Sequence, residues 1–164
     1  MMEPVDSTAE ILAFKVLNRN INEKWINWAV DMLMAGFETE NLVILAGESK
    51  PYNQFELQSL ADKILNELNL SLDDEDQIIK NYACYLIEKT LTGEKQLFVT
   101  LDILKELCIE LDYESYLYDF YSLYFAKEDL LYSDNQWYWN GATKENIDNI
   151  VYDYFVKWKS NCTN

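Results

Sequence analysis

Apolar residues in this chain recur every three or four positions, and no run alternates long enough for a strand, so the pattern predicts an all-α fold. Asp6 and Ser7 are placed to cap a first helix on Ala9, Leu12, Ala13, Val16 and Leu17, which Asn18-Arg19-Asn20 ends. A second helix starts near Asn22 and stops at Gly36. One of its sides carries Ile21, Trp25, Trp28, Ala29, Met32 and Leu33, and the other carries Ile26, Val30 and Met34. A helix apolar on two sides is expected in the middle of the molecule. Thr39 caps a short third helix, Glu40–Ala46. Asn53 with Glu56 reads as a capping-box variant that opens a fourth, with Leu57, Leu60, Ala61, Ile64, Leu65 and Leu68 on one stripe.

Asp73-Asp74-Glu75-Asp76 precedes a fifth stripe, Ile79, Tyr82, Ala83, Leu86, Ile87 and Leu91, closed by Gly93. Carboxylates in a first turn favour the positive end of the helix dipole, so this acidic run reads as helix initiation. The sharper alternative, a calcium loop, lacks the EF-hand's turn glycine and closing glutamate. A sixth helix spans 96–111 on Leu97, Leu101, Leu104, Cys108 and Leu111, and a seventh uses Leu117, Phe120, Tyr121, Tyr124 and Phe125. Over 127–141 the pattern is weakest: a short helical turn at Asp129-Leu130-Leu131 leads into an extended Trp137-Tyr138-Trp139, closed by Asn140-Gly141. Thr143 then caps a last helix on Ile147, Ile150, Val151, Tyr154, Phe155 and Trp158. Short connections favour antiparallel neighbours, and the expectation is a single domain over 1–164, a helical bundle or a stack of αα-hairpins with about seven to eight helices.

Charge narrows the function more than the helices do. The 164 residues carry 29 acidic against 13 basic side chains, a formal net charge of −16, with no histidine and a single arginine, Arg19. Such a field repels nucleic acid and anionic membranes and attracts basic partners. Without histidine, Ser-His-Asp and Cys-His catalysis and His-based metal sites drop out, and the four glycines lie too far apart for a phosphate-binding loop. No cofactor or metal is expected. Chemistry by paired carboxylates stays as a formal alternative, since so many acidic residues must place some near one another. The three cysteines, Cys84, Cys108 and Cys162, lack paired spacing and are expected to be reduced, buried thiols. The N-terminal run lacks a basic region followed by an apolar one, and no stretch approaches a membrane span, so the expectation is a cytoplasmic protein, monomeric or weakly dimeric.

Recognition is best sought at 125–140, where carboxylates mix with large rings. Glu128, Asp129, Tyr132, Asp134, Trp137 and Trp139 form the candidate partner-binding set. Rings supply buried area and cation–π contact, and carboxylates pair with Lys or Arg. The competing account is that these rings turn inward and plug the end of the bundle, with at most one of the three consecutive rings pointing out.

Trp28-Ala29 through Gly36, Leu42, Leu45-Ala46-Gly47 and the Asn53-Gln54-Phe55-Glu56 helix start together resemble a family of small, acidic, all-helical bacterial proteins of unknown activity. Tyr82-Ala83 and Leu111-Asp112-Tyr113 extend the likeness over most of the chain. Some members of such families are suspected to be immunity proteins, and the resemblance implies a protein that neutralises a toxin, which the net charge would make a basic one; it supplies no catalytic residue. The expected function is therefore non-enzymatic binding of a basic protein, with an oligomerising structural or adaptor role and a carboxylate enzyme as the alternatives.

Overall fold

Eight α-helices and no strands are found among residues 2–162, the part of the chain that the structure, a computed structural model, describes. The helices are α1 (Thr8–Val16), α2 (Glu23–Met34), α3 (Glu40–Ala46), α4 (Gln54–Glu67), α5 (Glu75–Leu91), α6 (Leu97–Glu110), α7 (Tyr118–Tyr132) and α8 (Ile147–Ser160). A 3-10 turn, Ser115–Leu117, leads into α7. The backbone groups into two compact units, Met1–Tyr85 and Leu86–Asn164, with the border inside α5.

Starts and stops follow local chemistry. Asn22, Thr39, Asn53 and Asp74 each accept a backbone N–H two or three residues on, at 3.0, 3.2, 3.2 and 3.1 Å. Each satisfies a donor that the first helical turn leaves orphaned. Asp74 thereby makes the acidic run the start of α5. Five helices end alike: the residues after α1, α2, α4, α5 and α6 that turn left-handed are Asn18, Gly36, Asn69, Gly93 and Asp112, at φ 56°, 101°, 57°, 87° and 56°. In each, the following N–H reaches back five residues, as from Leu70 to the Leu65 carbonyl at 2.9 Å and from Tyr113 to that of Cys108 at 2.8 Å. Asn and Asp tolerate this conformation through their short polar side chains, whereas a methyl there costs about 1 kcal/mol. Asn69→Ala is expected to lower unfolding stability by about that amount and Asn69→Gly to leave it unchanged, as read from denaturant midpoints.

In the unit Met1–Tyr85, α2 packs against α1 and α3, and α3 against α4. Trp25 and Trp28 meet edge to face at 5.8 Å, and the Trp28 indole donates to the Thr8 hydroxyl at 2.9 Å. Two glutamines of α4 pin the α1–α2 connection. Gln54 exchanges two hydrogen bonds with the Ile21 backbone, at 2.7 and 2.9 Å, and Gln58 donates to the Arg19 carbonyl at 3.0 Å while accepting from Lys15 at 2.8 Å. Only one side of α2 is covered. Trp25, Trp28, Ala29 and Met32 are buried, but Val30 and Met34 are exposed, so the expected central position of this helix is corrected.

In the unit Leu86–Asn164, α6 packs along α7, and α7 meets α8. Phe120 lies at the centre of that second contact, with Tyr154, Phe155 and Trp158 at 5.4, 6.0 and 5.5 Å. Thr90 of α5 and Thr100 of α6 share a buried hydroxyl hydrogen bond. Three local expectations change here. Helix α7 continues through Asp129-Leu130-Leu131 to Tyr132, in place of a separate turn. Residues 137–139 form bends rather than an extended run. Thr143 and Asn146 cap each other, Asn146 Oδ1 accepting from the Thr143 N–H at 2.6 Å, so α8 starts only at Ile147.

The cysteines depart from expectation as well. Cys84 and Cys162 are disulfide-bonded, whereas Cys108 is free and buried in α6. Spacing along the chain says nothing about which sulfurs folding brings to bonding distance.

Buried tyrosines make stability sensitive to alkali. Burial, with Glu10 nearby, pushes the Tyr82 phenol up to about 12 despite Arg19, and Tyr154 is raised by burial and by its hydrogen bond to Asp119. Unfolded tyrosines ionise near 10, so between about pH 10 and about pH 12 the unfolded state loses protons that the folded state keeps, and stability falls as pH rises. The unfolding free energy from denaturant titration is expected to drop by about 1–2 kcal/mol from about pH 9 to about pH 11, and less in Tyr82→Phe.

Candidate functional site

The candidate residues sit where α7 ends. Its inner face, Phe120, Leu123, Ala126 and Leu130, is buried, which leaves Glu128, Asp129, Leu131 and Tyr132 toward the outside of the last turn. The Ser133-Asp134-Asn135 cluster stops the helix: Ser133 is extended, and its N–H closes on the Asp129 carbonyl at 2.9 Å. No basic residue lies in the last turn of α7, so the negative end of its dipole adds to the two carboxylates.

The loop beyond is held chiefly by the Gln136 side chain. Gln136 Oε1 accepts from the backbone N–H groups of Tyr138 and Trp139, each at 2.8 Å, and its Nε2 donates to the carbonyls of Trp139 and Ala142 at 2.5 and 3.3 Å. Asn146 adds a bond to the Gly141 carbonyl at 3.0 Å, and Lys144 pairs with Asp134 at 3.1 Å. These bonds fix the course of the backbone from Tyr138 to Ala142. Trp139 turns in, edge to face with Tyr154 at 5.7 Å. Tyr138 lies against Phe125 at 5.6 Å and Tyr121 at 6.4 Å. Trp137 points out, 90% exposed, and no ring among the described residues packs on it.

Four of the six residues singled out from the sequence therefore share one place. Glu128, Asp129, Tyr132 and Trp137, with Phe125, line a groove of about 600 Å³. Asp134 and Trp139 do not line it; one is tied to Lys144 and the other to Tyr154. The nearby cations are already engaged. Lys127 pairs with Asp148 at 2.9 Å and lies over the Phe98 ring at 4.4 Å. Lys105 is gripped by Asp102, at 2.9 Å, and by Glu106, and it lies over Tyr124 at 4.3 Å. Burial alone would lower the Lys105 pKa, but its bonds to Glu106 and Asp102 outweigh that and raise it, so the charge is kept and spent locally. Neither Glu128 nor Asp129 has an ion-pair partner among the described residues.

Sequence reasoning missed a neighbouring groove of about 690 Å³ between α6 and α7, lined by Phe98, Val99, Ile103 and Leu131 and bordered by Glu128 and Tyr132. The usable signal was the widened stripe of α6, whose Val99 and Ile103 exceed what one buried face requires. Among the described residues, no three His, Cys, Asp or Glu side chains are grouped to hold a metal ion, and no helix is long and apolar enough to cross a membrane. No protein-family model, curated protein or solved structure matches the chain.

Proposed function

We propose that this chain is a non-enzymatic binding module for a basic protein, docked at the end of α7. One observation carries the reading: an indole, Trp137, 90% exposed, stands on a hydrogen-bonded loop beside two carboxylates that no cation among the described residues pairs with. Leaving a tryptophan in water forgoes about 2 kcal/mol of burial. Such an indole serves as an anchor, and Glu128 and Asp129 select a cation. The net charge of −16 adds long-range steering. With the family resemblance, the most concrete partner is a toxin with a cationic cleft, such as a nuclease, neutralised in the manner of an immunity protein.

A structural or adaptor role draws on a different observation, the near-complete exposure of Met34 and Phe55 in the unit Met1–Tyr85. Sedimentation that stays monomeric at high protein concentration would remove it.

The binding reading is tested by capture at low salt with the wild-type chain and with the Glu128→Gln/Asp129→Asn variant. Basic proteins retained by the wild type are expected to associate about tenfold more slowly with the variant and with a shallower salt dependence, while circular dichroism is unchanged. Identical capture by both proteins would sink the reading.

A further inference from the structure

The two grooves are not independent features of the surface. Both use Glu128 and Tyr132 as a wall, so the aromatic and acidic groove adjoins the apolar trough of α6 and α7 directly. The trough is open: Val99 and Leu131, 48% and 59% exposed, face solvent from two helices that pack along each other. Their spacing along the helices explains why they form a trough. Val99 and Ile103 are four apart on α6, and Tyr124, Glu128 and Tyr132 are four apart on α7, so each set presents one continuous stripe. With Lys127 and Lys105 held by their own carboxylates, the charge left on the shared wall is that of Glu128.

We propose, resting on the basic-partner reading, that the paired grooves receive one segment of the partner carrying an arginine beside a bulky aliphatic side chain. The guanidinium enters between Trp137 and the carboxylates of Glu128 and Asp129, and the aliphatic side chain fills the trough against Val99 and Leu131. Arginine suits the first groove better than lysine. Its planar head stacks on a ring face and offers two parallel N–H donors to a carboxylate, whereas an ammonium ion is a compact, strongly hydrated charge. An aliphatic neighbour suits the second, because the trough offers the apolar area of Phe98, Val99, Ile103 and Leu131, and its charged liners Asp102 and Lys127 are paired with Lys105 and Asp148. A shared wall requires the two side chains to be near neighbours, as residues four apart on a helix are, about 5–6 Å between their Cβ atoms. The carboxylates orient the segment, and both grooves contribute to the affinity.

The test uses the full chain and three short alanine-based helical peptides: one with arginine and leucine four positions apart, one with citrulline for the arginine, and one with alanine for the leucine. Binding is followed by tryptophan emission and by the indole N–H resonances. Citrulline, a neutral isostere, and the alanine replacement are each expected to weaken binding about tenfold. The Val99→Gln/Leu131→Gln variant, altered only at exposed positions, should abolish the leucine dependence and keep the preference for arginine over citrulline. Glu128→Gln/Asp129→Asn should do the reverse. A leucine dependence that is absent, or that survives Val99→Gln/Leu131→Gln, overturns the two-groove inference, as does failure of the arginine–leucine peptide to bind at millimolar concentration. The basic-partner reading then stands or falls separately, on capture of whole basic proteins by wild type and Glu128→Gln/Asp129→Asn.

Discussion

Phe120→Ala is expected to cost about 3–5 kcal/mol of folding stability, a large share of the roughly 5–15 kcal/mol that keeps a domain folded. Phe120 is fully buried in α7 and touches Tyr154, Phe155 and Trp158 of α8. Truncation removes its own apolar burial and leaves three rings facing a void, which large aromatic neighbours cannot close by small shifts. Phe120→Leu keeps much of the volume and should cost less than half as much. Urea unfolding followed by circular dichroism measures both. A loss below about 1 kcal/mol for the alanine variant would show that α8 is not held to α7 through this residue. Helix α7 also carries Glu128, Asp129 and Tyr132, so partner binding is expected to weaken in parallel with stability.

Trp137→Ala should do the opposite: leave the unfolding midpoint unchanged and shorten the lifetime of the complex with a captured basic partner by about thirtyfold or more. The indole is exposed and contributes nothing to the core, so its removal costs the free protein nothing. In a complex it becomes a desolvated anchor whose loss appears in dissociation rather than association. Trp139→Ala is the internal control. Its ring packs on Tyr154, so that change should lower stability and spare the dissociation rate of the folded protein. Equal residence times for wild type and Trp137→Ala would remove Trp137 from the interface.

These two variants mark the division between what local chemistry settles and what packing settles. Caps at Asn22, Thr39 and Asn53 and stops at Asn18, Gly36 and Gly93 were legible because each depends on a few adjacent residues and on the bonding needs of a helix end. Asn69 and Asp112 work in the same way but escaped notice, since neither residue requires a left-handed backbone as strongly as glycine suggests it. The end of α7 was misjudged because Lys127-Glu128-Asp129 interrupts the apolar stripe with charges that belong on the solvent side of a continuing helix.

Sequence alone determined that this chain is all-helical, strongly acidic and without histidine chemistry, because periodicity, charge and composition are properties of the chain itself. Rings among carboxylates are readable in one dimension, and four of the residues so chosen, Glu128, Asp129, Tyr132 and Trp137, line one groove. Tertiary structure decided everything that depends on a neighbour distant along the chain. Val30 and Met34 are as apolar as Trp28, yet no other element covers them. Of three consecutive rings, Gln136 and the partners Tyr154 and Phe125 draw Trp139 and Tyr138 inward or flat and leave Trp137 out. Burial is a relation between surfaces, and a residue's hydrophobicity records only its readiness for that relation.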